Sequence, residues 1–282
     1  MPRIFEFDKL NFLTAGMPKA TKGSYKEAFD IIKSMELDGM ELEFVHGVRM
    51  SDTTRSLVKE IRQNENFILT AHCPFYINLN AQEEEKVLAS VNRIIETAQA
   101  AHDVGAFSIT YHAAYYMGGD KETVFEQVKK CNDLVNTTLA NAGIEVWVRP
   151  ETTGKGTQWG DLDEVIRLSK EFDMVLPCID FSHLHARSGG EFNTYDEFSS
   201  IFEKIGNELG AGALRAFHGH LAGILYTAKG ERSHLNLEES DMNYKDLLKA
   251  FKAFDVRGAL TCESPNIETD TKILKDYYYS LD

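Results

Sequence analysis

Asp180 and His183 stand three residues apart in Cys178-Ile179-Asp180-Phe181-Ser182-His183-Leu184-His185, directly after the apolar run Met174-Val175-Leu176-Pro177. Similar endings recur along the chain. His72 lies in 66–73, His112 in 107–113, Glu151 in 144–151, His218 in 214–220 and Glu263 in 258–263, with Glu231 and His234 in the polar stretch after His218. Imidazoles and carboxylates that converge on one place are ligands for a zinc-like cation, with bonds of about 2.0–2.2 Å. One such residue alone is more often a hydrogen-bonded core or loop side chain, an N-cap or a surface charge. Recurrence over six consecutive segments changes that reading, because four carboxylates and five histidines gathered without a cation would repel one another or take up protons. The set therefore points to bound zinc, with manganese as the alternative, at about two to three ions for the nine ligands. His46, His102, His185 and His220 stay outside it: His102 falls in a helical interval, and His185 and His220 are read as neighbours of ligands.

Such a set needs a scaffold that brings strand ends to one face. Eight short apolar or β-branched segments read as strands, at 11–16, 39–46, 66–73, 107–113, 144–151, 174–181, 214–220 and 258–263. Helical stripes lie between them, clearest in Val87/Val91/Ile94/Ala98/Ala101, Val124/Val128/Cys131/Val135 and Tyr244/Leu247/Leu248/Phe251. Glycine or asparagine precedes several strands, as in Asp38-Gly39 and Ala142-Gly143, which is how helices hand over to strands in alternating folds. Eight βα units in 282 residues is the count and size of a (β/α)8 TIM barrel, here one domain over 1–282. Nearly continuous apolar strands are what a parallel sheet buried on both faces requires. A doubly wound open sheet is the alternative. In a barrel the site lies at the C-terminal mouths of the strands, where these ligands fall. Alternation along regular strands turns Cys73 and Cys262 toward the helices and Cys178 inward, one layer below Asp180.

A net charge of -14 argues against broad attraction to nucleic acid, although part of that charge could sit in a site neutralised by cations. The four cysteines form no CxxC pair, which suits reduced thiols. No apolar run approaches the roughly 18 residues of a membrane span, and the start lacks the order of a secretory signal. The expectation is a cytoplasmic protein.

At these residues the sequence resembles the endonuclease IV family of apurinic/apyrimidinic (AP) endonucleases, within the wider group of xylose-isomerase-like TIM barrels. The resemblance runs over nearly the whole chain and is carried by LTAHCPFYINL at 69–79, RPETTGKGTQWG at 149–160, CIDFSHLHARSGG at 178–190 and CESP at 262–265. It implies three metals: one held by His72, His112 and a bridging Glu151, a second by Glu151, Asp180, His218 and Glu263, and a third by His183 with Glu231 and His234. It also implies incision of DNA on the 5′ side of abasic sites in base excision repair, leaving a 3′-hydroxyl and a 5′-deoxyribose phosphate. There are departures. The family's strand-7 histidine is followed by Leu-Asn-Asp, whereas this chain reads His218-Gly219-His220-Leu221-Ala222-Gly223. The family's Asp-x-His of the third site is here Glu231-Arg232-Ser233, with His234 one residue later.

Phosphodiester hydrolysis suits paired metals about 3.5–4 Å apart, which stabilise both attacking and leaving oxygens of an in-line displacement. Glu151 and Glu263 are the catalytic candidates, the first setting the metal spacing and the second orienting the attacking water. Phe75 or Tyr76 could enter the DNA stack at the lesion, or simply pack their loop. Arg49 and Arg187, with Lys19, Lys22 and Lys229, are candidate phosphate contacts, although a loop cation is usually just solvated. The expected partner is double-stranded DNA with abasic sites, bound by a monomer. A sugar isomerase, epimerase or dehydratase of the same barrel group is the rival; it would use Glu151, Asp180, His218 and Glu263 around one metal and has no need of His72, His112 or His234. A barrel that only binds DNA or a partner is a third reading. Because i and i+3 face opposite ways on a flat strand, residues 231–234 are expected to be non-extended, with Glu231 and His234 both turned to His183.

Overall fold

The computed structural model describes residues 5 and 7–281. In chain order the elements are β1 (Leu10–Ala15), α1 (Tyr25–Ser34), β2 (Gly39–Glu43), α2 (Asp52–Glu65), β3 (Ile68–His72), α3 (Glu84–Val104), β4 (Ser108–Tyr111), β5 (Ala114–Tyr115), α4 (Lys121–Ala142), β6 (Trp147–Pro150), β7 (Gln158–Trp159), α5 (Leu162–Ser169), β8 (Ile179–Asp180), α6 (Phe181–Ser188), α7 (Tyr195–Leu209), α8 (Ala211–Arg215), β9 (Phe217–Leu221), β10 (Gly223–Thr227), β11 (Gly230–Leu235), α9 (Tyr244–Ala253), β12 (Gly258–Cys262) and α10 (Glu268–Ser280). A short 3-10 turn (Leu237–Glu239) follows β11.

The described residues pack as two units, one of Leu42–Cys178 and the other of the residues before Leu42 joined to those after Cys178. In the first, β3, β4 and β6 pair in parallel, with Thr70 opposite Ser108 and Ser108 opposite Trp147. In the second, the order β2-β1-β12-β9-β8 is also parallel, with Leu13 opposite Gly39, Leu10 opposite Gly258, Gly258 opposite Phe217 and Ile179 opposite Gly219. These eight strands alternate with helices in the order of a (β/α)8 barrel. The strands are mostly buried, and the two longest helices show one buried stripe each. Val91, Ile94, Ala98 and Ala101 line α3, and Val124, Val128, Cys131 and Val135 line α4. Both helices end on a left-handed glycine, Gly105 at φ 80 and Gly143 at φ 67, which only a residue without Cβ adopts at no steric cost.

The structure differs from the sequence reading in three places. The segment 174–181 contributes only Ile179–Asp180 as strand, because Asp180 caps α6 and Phe181 is already helical. The segment 214–220 begins as the end of α8, and its strand runs on to Leu221. Residues 223–235 form an antiparallel hairpin where a polar loop was expected.

Phe181 anchors the helix that follows Asp180. Its ring is fully buried and lies 5.7 Å from Phe202, 5.6 Å from Phe251 and 6.3 Å from Phe217. The residue between the acid and the histidine of the opening motif is therefore fixed in an aromatic core, where such pairs add about 0.5–1.5 kcal/mol each beyond their buried area. All four cysteines are buried, and none forms a disulfide among the described residues. No helix among the described residues is long and apolar enough to cross a membrane.

Candidate metal centre

Within Leu42–Cys178, three strands deliver three side chains that could hold a metal ion. His72 ends β3, His112 follows β4 directly, and Glu151 follows β6. His72 Nε2 is 3.2 Å from Glu151 Oε2, and His112 Nε2 is 3.1 Å from Glu151 Oε1. His72 Nδ1 lies 2.7 Å from Cys73 O, and a carbonyl only accepts, so Nδ1 carries the proton. In a neutral ring the lone pair at Nε2 then faces a fully buried carboxylate, acceptor against acceptor. A proton on Nε2 or a cation between them resolves that conflict, and the convergence of His112 on the same carboxylate suits the cation. Neighbouring loops hold the three groups in place: β5 pairs with β7, joining the loop after β4 to the loop after β6. Leu79 N donates to Ala113 O at 2.9 Å and Asn80 Nδ2 to Tyr115 O at 2.9 Å, tying in the loop after β3. Gly160, at φ +119, lets this fold-back close, since a Cβ there would meet Glu151 O at 2.7 Å.

In the other unit, Asp180 has two tasks. Its Oδ1 accepts from His183 N at 2.8 Å as the N-cap of α6, and its Oδ2 lies 3.1 Å from His183 Nδ1. His183 Nε2 is 3.6 Å from Glu231 Oε2, and the His183 and His234 rings are 5.8 Å apart. Asp180, His183 and His234 each offer a ligand atom within 4.8 Å of the others. Burial pushes the His234 imidazole below its usual range, with the charge of His183 as the next cause, so the ring keeps a lone pair for a cation. Its Nε2 is buried and meets no hydrogen-bond partner among the described residues. An orphaned buried nitrogen beside two carboxylates fits a metal ligand.

Glu231 and His234 reach His183 by a route the sequence reading excluded. Both lie on β11, so residues 231–234 are extended, contrary to expectation. The ladder with β10 pairs Ile224 with His234 and Leu225 with Ser233, but Tyr226 with Glu231. Arg232 is thus an extra residue, a β-bulge that restores a common face to positions three apart. The hairpin is moored to α6 by Tyr226, whose hydroxyl donates to Asp241 Oδ2 at 2.8 Å while its ring packs 4.9 Å from that of His185.

The strand-7 histidine also needs correction. Across β8 and β9, Asp180 is opposite His220, and across β9 and β12, Thr261 is opposite His220 while Ala259 is opposite His218. His220 is therefore level with Asp180 and Thr261, one step below Glu263, and His218 lies a layer deeper. Asp180, His220 and Glu263 offer ligand atoms within 4.8 Å of one another, with His220 Nδ1 3.4 Å from Glu263 Oε1. The residue after His220 is Leu221, the first of the Leu-Asn-Asp that follows the family's histidine, and this was the clue in the sequence.

Glu41, on β2, was not singled out by the sequence. Its buried carboxylate sits between two rings, Oε2 2.8 Å from His218 Nε2 and Oε1 2.9 Å from His220 Nε2, in bent approaches. Burial by itself would raise this carboxyl, but His220 and His218 outweigh it and hold the group well below the usual carboxylate range.

Phe75 and Tyr76 follow His72 by three and four residues and are 52% and 50% exposed, with rings 4.7 Å apart. His46 Nδ1 is 2.7 Å from the Tyr76 hydroxyl, and the Arg93 guanidinium lies 5.9 Å from the Tyr76 ring centroid. Arg49, in the loop after β2, and Lys229, at the hairpin turn, are exposed, while Arg187 is half-buried in the last turn of α6. Lys19 and Lys22 lie in the loop after β1, where Glu268 accepts from Lys19 N at 2.9 Å.

Comparison with known proteins places this arrangement in context. Residues 29–280 match the AP endonuclease 2 family, described as a xylose isomerase-like TIM barrel. An uncharacterized protein of Methanocaldococcus jannaschii is 45% identical over 272 residues, covering 96% of this chain and 98% of that one. Among solved structures, a D-tagatose 3-epimerase-like protein matches with TM-score 0.73 at 18% identity, over 92% of this chain and 94% of that one. Endonuclease IV from Thermus thermophilus matches with TM-score 0.70 at 15% identity, over 96% and 99%. The 3-keto-D-glucoside 4-epimerase YcjR from E. coli matches with TM-score 0.66 at 16% identity, over 95% and 99%. At these identities the solved structures share the (β/α)8 fold alone.

Proposed function

Since the chain belongs to the xylose isomerase-like TIM barrel family, we propose that it is a metal-dependent phosphodiesterase, zinc-loaded or manganese-loaded, that incises double-stranded DNA on the 5′ side of abasic sites. The observation that carries this reading is the cluster of His72, His112 and Glu151, three ligand atoms within 4.8 Å of one another. A sugar enzyme with a single metal has no use for those two histidines.

The ions, when bound, supply an activated water and positive charge for the attacking and leaving oxygens. The chain's own residues do the rest. Glu151, fixed by His72, His112 and the Thr110 hydroxyl 3.2 Å from its Oε2, keeps one ligand group rigid. Glu263 is the candidate to orient the attacking water. Phe75 and Tyr76 present an exposed aromatic pair near His72, suited to stacking where a base is missing. Positive charge concentrated at the ions lets a protein of net charge -14 hold a phosphate locally.

A second reading, a sugar isomerase or epimerase, is favoured by one departure: Ala222 and Gly223 stand where the family has Asn-Asp. One assay separates them. Metal-loaded protein is given duplexes with and without an abasic analogue, and a panel of keto sugars. The proposal predicts salt-sensitive incision selective for the abasic duplex, absent in Glu263→Gln although that variant folds. No incision of either duplex, together with sugar turnover, would establish the rival.

A further inference from the structure

We infer that Glu41 is a positioning residue: by holding Nε2 of His220 it turns Nδ1 of that ring toward Glu263 and Asp180, and so sets the affinity of the ion these three residues bind. The inference rests on the metal reading and is indifferent to whether the substrate is a nucleic acid or a sugar.

The two ring nitrogens of His220 face two carboxylates at unequal distances. Nε2 lies 2.9 Å from Glu41 Oε1, in a bent approach, and an ionised carboxylate only accepts, so with a cation on the Glu263 side the neutral ring keeps its one proton at Nε2. His220 Nδ1 then carries the lone pair, and it lies 3.4 Å from Glu263 Oε1. A ring nitrogen with a lone pair and a carboxylate oxygen at that distance are a pair that a cation can bridge. His220 thus ligates through Nδ1, whereas His72 ligates through Nε2, because Cys73 O takes the proton of the latter's other nitrogen. In both rings the second nitrogen faces a protein acceptor, by a hydrogen bond in His72 and by a 2.9 Å ion-pair contact in His220, the arrangement that orients a ring and raises ligand basicity.

His218 completes the clamp. It lies 2.8 Å from the second oxygen of Glu41, so the buried carboxylate is flanked by an imidazole on each side. None of the three side chains is exposed, so water has no access to replace a lost contact. Glu41 is itself anchored through its backbone, its carbonyl accepting from Gly16 N at 3.0 Å. Charge supports the same role: a buried anion beside a ligating imidazole draws density toward the metal-binding nitrogen.

The test uses metal-free protein reloaded with zinc or with cobalt as a spectroscopic probe. Glu41→Gln keeps the volume but can accept from only one ring. It should weaken one ion by about 10–100-fold in chelator competition while the others bind as before. His220→Asn should lose that ion outright, and His218→Asn should weaken it less than Glu41→Gln does. The cobalt absorption of that site should change in Glu41→Gln, which a purely structural role would not produce. Unchanged affinity for every ion in Glu41→Gln, with only a lower melting temperature of the metal-free form, would overturn the inference. A measurement on the unaltered protein needs no variant. Long-range nitrogen–proton NMR should find His220 protonated at Nε2, and a proton at Nδ1 instead would equally overturn it. Loss of the proposed DNA incision with these metal effects intact would count against the substrate and leave the role of Glu41 standing.

Discussion

Deleting Arg232 should leave the third ligand group working, although a one-residue deletion in a strand ordinarily turns every later side chain to the opposite face. The reason is the bulge. In β11, Tyr226 pairs with Glu231 and Leu225 with Ser233, which leaves Arg232 opposite nothing. Without it, Glu231 and the histidine become neighbours two apart on a regular strand, and residues i and i+2 share a face. Arg232 is exposed, so no buried area is lost. The change in stability should be about 0.5–1 kcal/mol, a shift of about 1–4 °C in melting temperature for a chain of this size. Affinity of the ion at His183 should move by less than about tenfold, equivalent to 1.4 kcal/mol. Equilibrium dialysis with elemental analysis reads the affinity, and thermal scans with and without zinc read the stability. If the unaltered protein lacked this ion and the deletion gained it, the strand would be flat and the bulge reasoning wrong. Loss of the ion in a folded deletion variant would show that parity is not what aims the two ligands.

His112→Ala should remove about one ion per chain and weaken catalysis with the fold intact, because its side chain is 30% exposed and belongs to no packed core; a collapsed melting temperature with unchanged metal content would make it structural. In metal-free protein, Glu41 should contribute to the acid limb of stability. Its folded-state pKa is depressed, so its contribution is present above the ordinary value of 4.5 and is lost as pH falls below that toward the folded value. Glu41→Gln should flatten the pH dependence in that window, and an identical acid limb in both proteins would refute the assignment. Phe181→Ala should cost about 3–5 kcal/mol from an unexposed site and weaken metal binding by Asp180 and His183 at the same time, as measured by denaturant melts and dialysis; full metal affinity in the destabilised variant would show that the aromatic core does not register α6.

The alternation of strands and helices was legible because parallel strands buried on both faces leave continuous apolar runs, and because Gly105 and Gly143 mark where helices stop. The endings of those runs pointed to most of the acids and histidines that the structure gathers in each unit. What failed was register. In His218-Gly219-His220 both imidazoles share a face, since i and i+2 point the same way, so periodicity names the face but not the layer. The layer comes from pairing with β8 and β12, contacts tens of residues away in the chain. Glu41 was missed for a related reason: in Gly39-Met40-Glu41-Leu42-Glu43 the acid alternates with apolar residues like any half-exposed strand position, and only folding brings it between His218 and His220. The bulge at Arg232 has no glycine or proline to announce it. The non-extended turn expected for 231–234 was a correct inference about facing joined to the wrong backbone solution.

The central claim is that these acids and histidines are metal ligands in more than one group, and metal stoichiometry per chain tests it most directly. Elemental analysis of protein prepared in metal-replete medium should find two to three zinc or manganese ions in each chain, as nine or more ligands at about four per ion require, with bridging carboxylates shared. A value of one ion, or none, would contradict the account.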